Sequence, residues 1–241
     1  MPSWLAAELV SRAEVCADEL VLDLGAGAGA LTAPLARAGA RVLAVERDAR
    51  LAGRLRRRFA DQPAVRVVTD DVCRIPLPRK GFRVVANIPF GVTTRLLTRL
   101  LDDSSALRAA DVVVAAGVCR ALTAPRPANP ATLWWSTRFA LSAGRRVAAT
   151  CFSPPPSVDA GVLVVRRRPR DLVVGPQRRA FGTLVDAGYS RPGLPWEQSV
   201  GRVLTRRQIV RLTRDRELPR NGPATALTVD DWAEMARLAV R

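Results

Sequence analysis

Five short apolar runs rich in β-branched residues recur along the first half of the chain: LVLDLGA (20–26), RVLAVE (41–46), VRVVTD (65–70), FRVVANI (82–88) and DVVVAA (111–116). Their nearly unbroken apolar character predicts strands buried on both faces. Between them, ALTAPLARAG, DARLAGRLRRRFA and VTTRLLTRLLDD space their apolar residues at helical intervals. Gly39 stands where the first of these helices should end, and Asp48 where the second should begin. Alternation of this kind predicts an α/β fold with a doubly wound parallel sheet. Two further strands are expected in RRVAATCF and VDAGVLVVRRR, separated by the proline-stiffened SPPPS. After RRRPRDLVVGP the strand pattern stops and helical pieces follow, among them RRAFGTLVDAG, TRRQIVRLTRD and TVDDWAEMARLAVR. Residues 1–169 and 170–241 are therefore expected to form two domains, the second small and all-α.

Composition narrows the chemistry. The 241 residues are 48% hydrophobic, enough for a proper core. No apolar run approaches the roughly 18 residues of a membrane span, and MPSWLAAELV lacks the basic start of a signal peptide. A cytoplasmic protein without membrane contact is the expectation. Cys16, Cys73, Cys119 and Cys151 are scattered with no C-x-x-C pair, and histidine is absent altogether. That excludes a Cys/His zinc site, triad hydrolases and papain-like catalysis, and no metal is expected.

The net charge of +16 changes the picture more. Lys80 is the sole lysine, so GC-rich coding explains why the bases are arginines, but not why they outnumber the acids. A surplus of this size points to a polyanion, most naturally nucleic acid. Residues 1–165 carry 22 basic and 14 acidic side chains, and residues 166–241 carry 16 and 8. Each part has a surplus of eight, so the shorter one is about twice as positive per residue.

Candidate chemistry begins at LDLGAGAGALT. Gly25, Gly27 and Gly29 follow the first strand, where glycine permits a tight turn and close backbone approach to a ligand. Glu46 ends the second strand about 20 residues on, where a carboxylate can accept both hydroxyls of a ribose. Taken as G-x-G-x-x-A with Ala30 last, the turn suits NAD; taken as D-x-G-x-G-x-G from Asp23, it suits S-adenosylmethionine. A plain structural turn is the bland alternative. Asp70 and Asp71 follow the third strand, and a carboxylate there can accept from the exocyclic amine of adenine.

NIPF (87–90) separates the two cofactors. The lone pair of adenine N6 is delocalised into its ring, so methylating it requires help. An acceptor pair on both N6 hydrogens draws the nitrogen toward tetrahedral geometry and stabilises its growing positive charge. The Asn87 side-chain oxygen and the Ile88 carbonyl are natural acceptors. Pro89 fixes the backbone that aims them, and Phe90 offers a face for the base. The methylated ammonium loses its proton to water, so no general base is needed.

Together VLDLGAGAGALT, AVERD, TDDV, RVVANIPFGVTT and CFSPPPSVDAGVLVVRRR resemble the Erm-type ribosomal RNA adenine N6-methyltransferases, relatives of the KsgA-type small-subunit dimethyltransferases. The resemblance runs in order over roughly residues 20–168. It implies a Rossmann-like class I methyltransferase sheet with a small all-α C-terminal domain that contacts RNA. By match, S-adenosylmethionine is held by Asp23, Gly25, Ala26, Gly27, Gly29, Glu46, Arg47, Asp71, Val72 and Asn87. The F-x-P-x-P-x-V segment falls on Phe152, Pro154, Pro156 and Val158. Phe152 would then cover the second face of a flipped adenine gripped by Asn87, Ile88, Pro89 and Phe90. NIPF leans toward the Erm branch, since KsgA-type enzymes more often show N-L-P-Y. The implied substrate is one adenine in the peptidyl-transferase region of 23S rRNA, with macrolide, lincosamide and streptogramin B resistance as the consequence. Two departures stand out: no Q-N-F-L-like motif precedes the first strand, and AAGVCR replaces a Gln/Glu-bearing segment. Both bear on efficiency rather than on reaction type.

Arg166, Arg167 and Arg168, and on a predicted helix Arg206, Arg207 and Arg211, are candidate RNA contacts, as is RLRRRF (54–59). Trp134 and Trp135 suit packing better than base stacking. A monomer is expected. Competing readings are a KsgA-like small-subunit dimethyltransferase and a non-catalytic RNA-binding assembly factor. DNA adenine methylation, which favours D-P-P-Y or N-P-P-Y, and an NAD dehydrogenase, in which NIPF has no role, rank below them.

Overall fold

The computed structural model describes residues 1–240. They fall into two compact units, the first comprising residues 1–120 and 141–167, the second residues 121–140 and 168–240. Residues 121–140, which precede the expected division at 169/170, go with the helical unit. Packing decides this. Trp134 meets Phe181 edge-on at 4.9 Å, the Tyr189 hydroxyl donates to the Pro127 carbonyl at 2.7 Å, and Leu133 is fully buried in the helical core. Contacts between positions that far apart in sequence leave no local signature.

Seven strands make one sheet: β1 (Leu20–Leu24), β2 (Arg41–Glu46), β3 (Val65–Thr69), β4 (Phe82–Asn87), β5 (Leu107–Ala115), β6 (Phe139–Val147) and β7 (Ala160–Arg167). Their order is β3-β2-β1-β4-β5-β7-β6. The β3, β2, β1, β4 and β5 ladders are parallel, and β7 runs antiparallel to β5. Helices α1 (Ser3–Arg12), α2 (Thr32–Arg37), α3 (Ala49–Arg58), α4 (Thr93–Leu100) and α5 (Ala116–Leu122) fill the crossovers and ends. Leu5, Leu9 and Leu35 of α1 and α2 cover Val21, Val42, Val85, Val113 and Val162 on one sheet face. As expected, Asp48 caps α3, accepting from the amides of Arg50 and Leu51 at 2.7 and 3.1 Å.

The strand read into RRVAATCF begins six residues earlier and ends at Val147, and residues 149–151 form a 3-10 turn instead. The cause is its place at the edge of the sheet: from Ser142 to Arg146 every residue is exposed, so no inward face imprints an alternation.

The second unit contains α6 (Pro130–Arg138), α7 (Pro176–Tyr189), α8 (Trp196–Val200), α9 (Arg206–Asp215) and α10 (Val229–Ala239). Its core is built on Trp196, Trp232 and Phe181, all fully buried. Each such aromatic removes roughly 150–250 Å² from water, on the order of 4–6 kcal/mol before entropy is subtracted. Capping boxes at Thr205/Gln208 and Thr228/Asp231 start α9 and α10. Among the described residues, no helix is long and apolar enough to cross a membrane.

Candidate active site

The glycine turn sits at the carboxyl end of β1, where open parallel sheets bind ligands. Gly25 and Gly29 hold φ of +86° and +85°, a region that side-chain-bearing residues avoid. A Cβ on Gly25 would stand 3.4 Å from Pro89 Cδ and 3.6 Å from the Asn87 carbonyl oxygen, so this end of the turn lies directly against the 87–90 motif. A Cβ on Gly29 would meet Leu55 Cδ2 at 2.8 Å, because that end rests on α3. The amides of Gly25 and Ala26 both donate to the Val45 carbonyl, at 2.8 and 3.0 Å. Around Gly27 nothing lies within 4 Å of a built Cβ, which leaves that side open to a ligand.

Glu46 braces the turn. Its Oε2 accepts from the Gly27 amide and its Oε1 from the Asp48 amide, both at 2.8 Å. Each oxygen keeps another lone pair for a hydroxyl donor. Asp23 is different: it is 1% exposed, its Oδ2 accepts from the Thr32 hydroxyl at 2.6 Å, and its Oδ1 has no partner. Burial pushes its carboxyl up to about 7, against the lowering effect of the Thr32 hydrogen bonds. Asp71 goes the other way. The Cys73 amide donates to its Oδ1 at 2.8 Å and Arg95 stands 3.3 Å from Oδ2. That amide first, then the charges of Arg95, Arg47 and Arg74, hold the carboxyl below the usual range. Asp71 is therefore a charged acceptor at neutral pH, followed by the buried Val72.

A cavity of about 510 Å³ lies between one end of the glycine turn and the 87–90 motif. Gly25 contributes to its wall together with Asn87, Ile88, Pro89, Phe90 and Phe152. The Ile88 amide donates to the Val113 carbonyl at 3.1 Å and the Ile88 side chain is buried, which ties this peptide to β5. Phe90 and Phe152 are half-buried and rest on the core beneath the sheet face that α1 covers. Pro154 and Pro156 complete the rim, while Val158 is 49% exposed. Five residues chosen for the target base and one glycine chosen for the cofactor thus line one space.

The arginines sort less uniformly. Arg166 is committed to Asp111, its two terminal nitrogens 2.8 and 3.0 Å from the two carboxylate oxygens of a residue only 2% exposed. Arg168 donates to the Ser136 carbonyl at 3.0 Å, and Arg211 pairs with Asp215 at 3.3 Å. Arg167 is half-buried, and Arg206 and Arg207 are exposed in the first turn of α9. In RLRRRF, Arg56 donates to the Thr69 hydroxyl and Arg58 to the Ala28 carbonyl of the glycine turn, at 2.6 and 2.7 Å. Two arginines expected on an RNA surface therefore bond the end of β3 and the glycine turn. Arg99 was not singled out from the sequence at all, yet its guanidinium bridges the carbonyls of Val72 and Ile75. Trp134 carries Arg178 over its ring at 5.3 Å and packs on Phe181, a packing role.

Residues 3–239 match the family model described as ribosomal RNA adenine dimethylase. The chain is 30% identical over 227 residues to an rRNA adenine N-6-methyltransferase of Bacillus licheniformis, covering 94% of this chain and 79% of that protein. It is 31% identical over 257 aligned positions to ribosomal RNA small subunit methyltransferase A of Synechococcus, covering 98% of this chain and 90% of that one. In fold it is similar to the 23S rRNA methyltransferase ErmE, with a TM-score of 0.91 at 24% identity over 100% of this chain and 99% of that one.

Proposed function

The chain belongs to the ribosomal RNA adenine dimethylase family, and from that premise we propose that its target is a single adenine of 23S rRNA in the peptidyl-transferase region. It is an S-adenosylmethionine-dependent rRNA adenine N6-methyltransferase. Methylation at the proposed position would block macrolide, lincosamide and streptogramin B binding, making this a resistance enzyme. The shared cavity, in which Gly25 faces the same space as Asn87, Phe90 and Phe152, supports methyl transfer to an adenine, and the NIPF motif, which leans toward the Erm branch, favours the large subunit as target.

The donor set fits S-adenosylmethionine: an open Gly27, a braced carboxylate at Glu46 for the ribose, and a charged acceptor at Asp71 for the adenine amine. When bound, the cofactor supplies an electrophilic methyl group carried on a sulfonium. The chain's own residues do the rest. Phe90 and Phe152 hold the target base by its faces. The Asn87 side-chain oxygen and the Ile88 carbonyl accept the two N6 hydrogens, localising the nitrogen lone pair and meeting the charge that develops there. One of those protons then leaves to water, so the absence of histidine costs the reaction nothing. Arg206 and Arg207, exposed on α9, neutralise RNA phosphates.

A small-subunit target is the second reading, favoured by the 31% identity to the Synechococcus enzyme over nearly the whole chain. The test is transfer of labelled methyl groups to protein-free large- and small-subunit rRNA, side by side. Label on a large-subunit adenine alone supports the 23S assignment; label on small-subunit RNA overturns it in favour of the second reading.

A further inference from the structure

Helix α4 runs out of the 87–90 motif, and two of its arginines, one turn apart, reach the loop that follows β3. Arg99 Nη1 donates to the Val72 carbonyl at 3.1 Å and Nη2 to the Ile75 carbonyl at 2.7 Å. Arg95 Nη2 stands 3.3 Å from Asp71 Oδ2. The loop is also braced from within: the Asp71 carbonyl accepts from the amides of Arg74 and Ile75, at 2.8 and 3.0 Å. A planar guanidinium spanning two carbonyls fixes their separation in a way that one point donor cannot. The helix itself is anchored by Leu96, Leu97 and Leu100, all buried. Its beginning is tied to the motif, with the Thr93 hydroxyl 3.4 Å from the Pro89 carbonyl.

We propose that Arg99, assisted by Arg95, is a positioning residue that sets the adenine-recognition loop at residues 71–75 in register with Asn87–Phe90. The inference rests on the assignment of Asp71 to the cofactor's adenine. One short helix then carries the grip on the target base at its start and, through Arg99, the grip on the cofactor's base a turn and a half later. Arg99 is half-buried, and both its terminal nitrogens already donate to carbonyls of this loop.

The probe is S-adenosylmethionine and its analogue lacking the adenine amino group, each titrated calorimetrically into wild type, Asp71→Ala, Arg99→Ala and Arg99→Lys. A displaced hydrogen bond to a charged acceptor is worth roughly tenfold in affinity or more. We expect Arg99→Ala to lose about tenfold for the cofactor and to lose most of the wild-type preference for the amino-bearing form. Arg99→Lys, able to reach one carbonyl, should fall between. A merely structural role lowers the melting temperature while leaving that preference intact, and this result overturns the proposal. So does weakened binding in Asp71→Ala beside unaltered discrimination in both Arg99 variants, which leaves the adenine assignment standing. If Asp71→Ala itself changes nothing, the adenine assignment fails and the positioning role with it. Should Arg99→Ala not fold, Arg99→Lys decides by the same criterion.

Discussion

Replacing Asp23 by Asn should make the sheet unit less sensitive to pH between about 4 and 7, and the structure sets the size of the effect. The Asp23 side chain is 1% exposed, and its carboxyl is pushed from 3.8 up to about 7, chiefly by burial. In the unfolded chain it ionises near its ordinary value. Between the two values the folded protein holds a proton that the unfolded chain has released, so stability falls as pH rises. The slope is up to about 1.4 kcal/mol per pH unit. Over roughly three units this amounts to something on the order of 4 kcal/mol, complete above about pH 7. Asn resembles the protonated form, since its oxygen can accept from Thr32 while its amino group takes the place of the unpartnered Oδ1. That amino group then lacks an acceptor, at a cost of about 1–3 kcal/mol that does not vary with pH. The test is therefore the slope of the difference between variants, not its offset.

Tryptophan fluorescence is a poor reporter here, because four of the five tryptophans lie in the helical unit. Hydrogen exchange of the β1 and β2 amides reads the right region, compared between wild type and Asp23→Asn at matched pH. The variant should gain roughly 2–3 kcal/mol of protection relative to wild type from pH 5 to pH 8, levelling near pH 7. Asp71, Asp48 and Asp159, whose carboxyls are lowered, contribute below this window and equally in both proteins. A difference that stays flat from pH 5 to pH 8 would refute the argument that Asp23 is buried and largely neutral.

Asn87→Ala should abolish methyl transfer with cofactor affinity retained, checked by single-turnover labelling beside calorimetry; near-normal turnover would sink the N6-acceptor role. Glu46→Ala should weaken cofactor affinity by about tenfold or more, losing both the ribose acceptor and the brace on the Gly27 amide, and an unchanged dissociation constant would count against the ribose assignment. Gly29→Ala places a Cβ against Leu55 and Phe59 at φ +85° and should cost roughly 2–4 kcal/mol, read from thermal melting of the sheet unit. Arg166→Met strands the buried Asp111 carboxylate and should cost about 2–4 kcal/mol of stability, largely restored by adding Asp111→Asn. Arg206→Ala with Arg207→Ala should leave stability alone but weaken RNA binding and flatten its salt dependence by about two counterions' worth of slope.

What the chain disclosed by itself is what local chemistry controls. The glycine turn at Gly25 and the strand ends at Glu46 and Asn87 were legible because a turn and a strand end each demand particular residue types at fixed spacing. The same holds for Asp48 as a cap and for Gly39 past the end of α2, where φ is +83°. The β6 edge was misplaced because Ser142–Arg146 are all exposed, with no buried face to impose a period. Residues 121–140 group with the helical unit through distant packing on Phe181 and Tyr189, which leaves no mark in the local sequence.

The arginines pose the harder problem. Sequence supplies their number but not their partners, and here partners decide meaning. Arg166 lies 55 residues from the Asp111 it neutralises, and Arg58 lies 30 from the Ala28 carbonyl it holds. Both sit in basic runs that look like phosphate-binding patches, and both are used inside the sheet unit. A net charge of +16 still argues for a polyanionic partner, because internal ion pairs remove equal numbers of each sign and leave the surplus untouched. What pairing changes is where that surplus resides. Pairing with Asp111 takes the charge of Arg166 out of the RRR run at the end of β7, whereas Arg56 and Arg58, held by a hydroxyl and a carbonyl, keep theirs at the end of α3, as do the exposed Arg206 and Arg207 on α9. A salt-dependence series across these arginines therefore measures where RNA binds more directly than any count of basic residues, because only groups that release counterions on binding contribute to its slope.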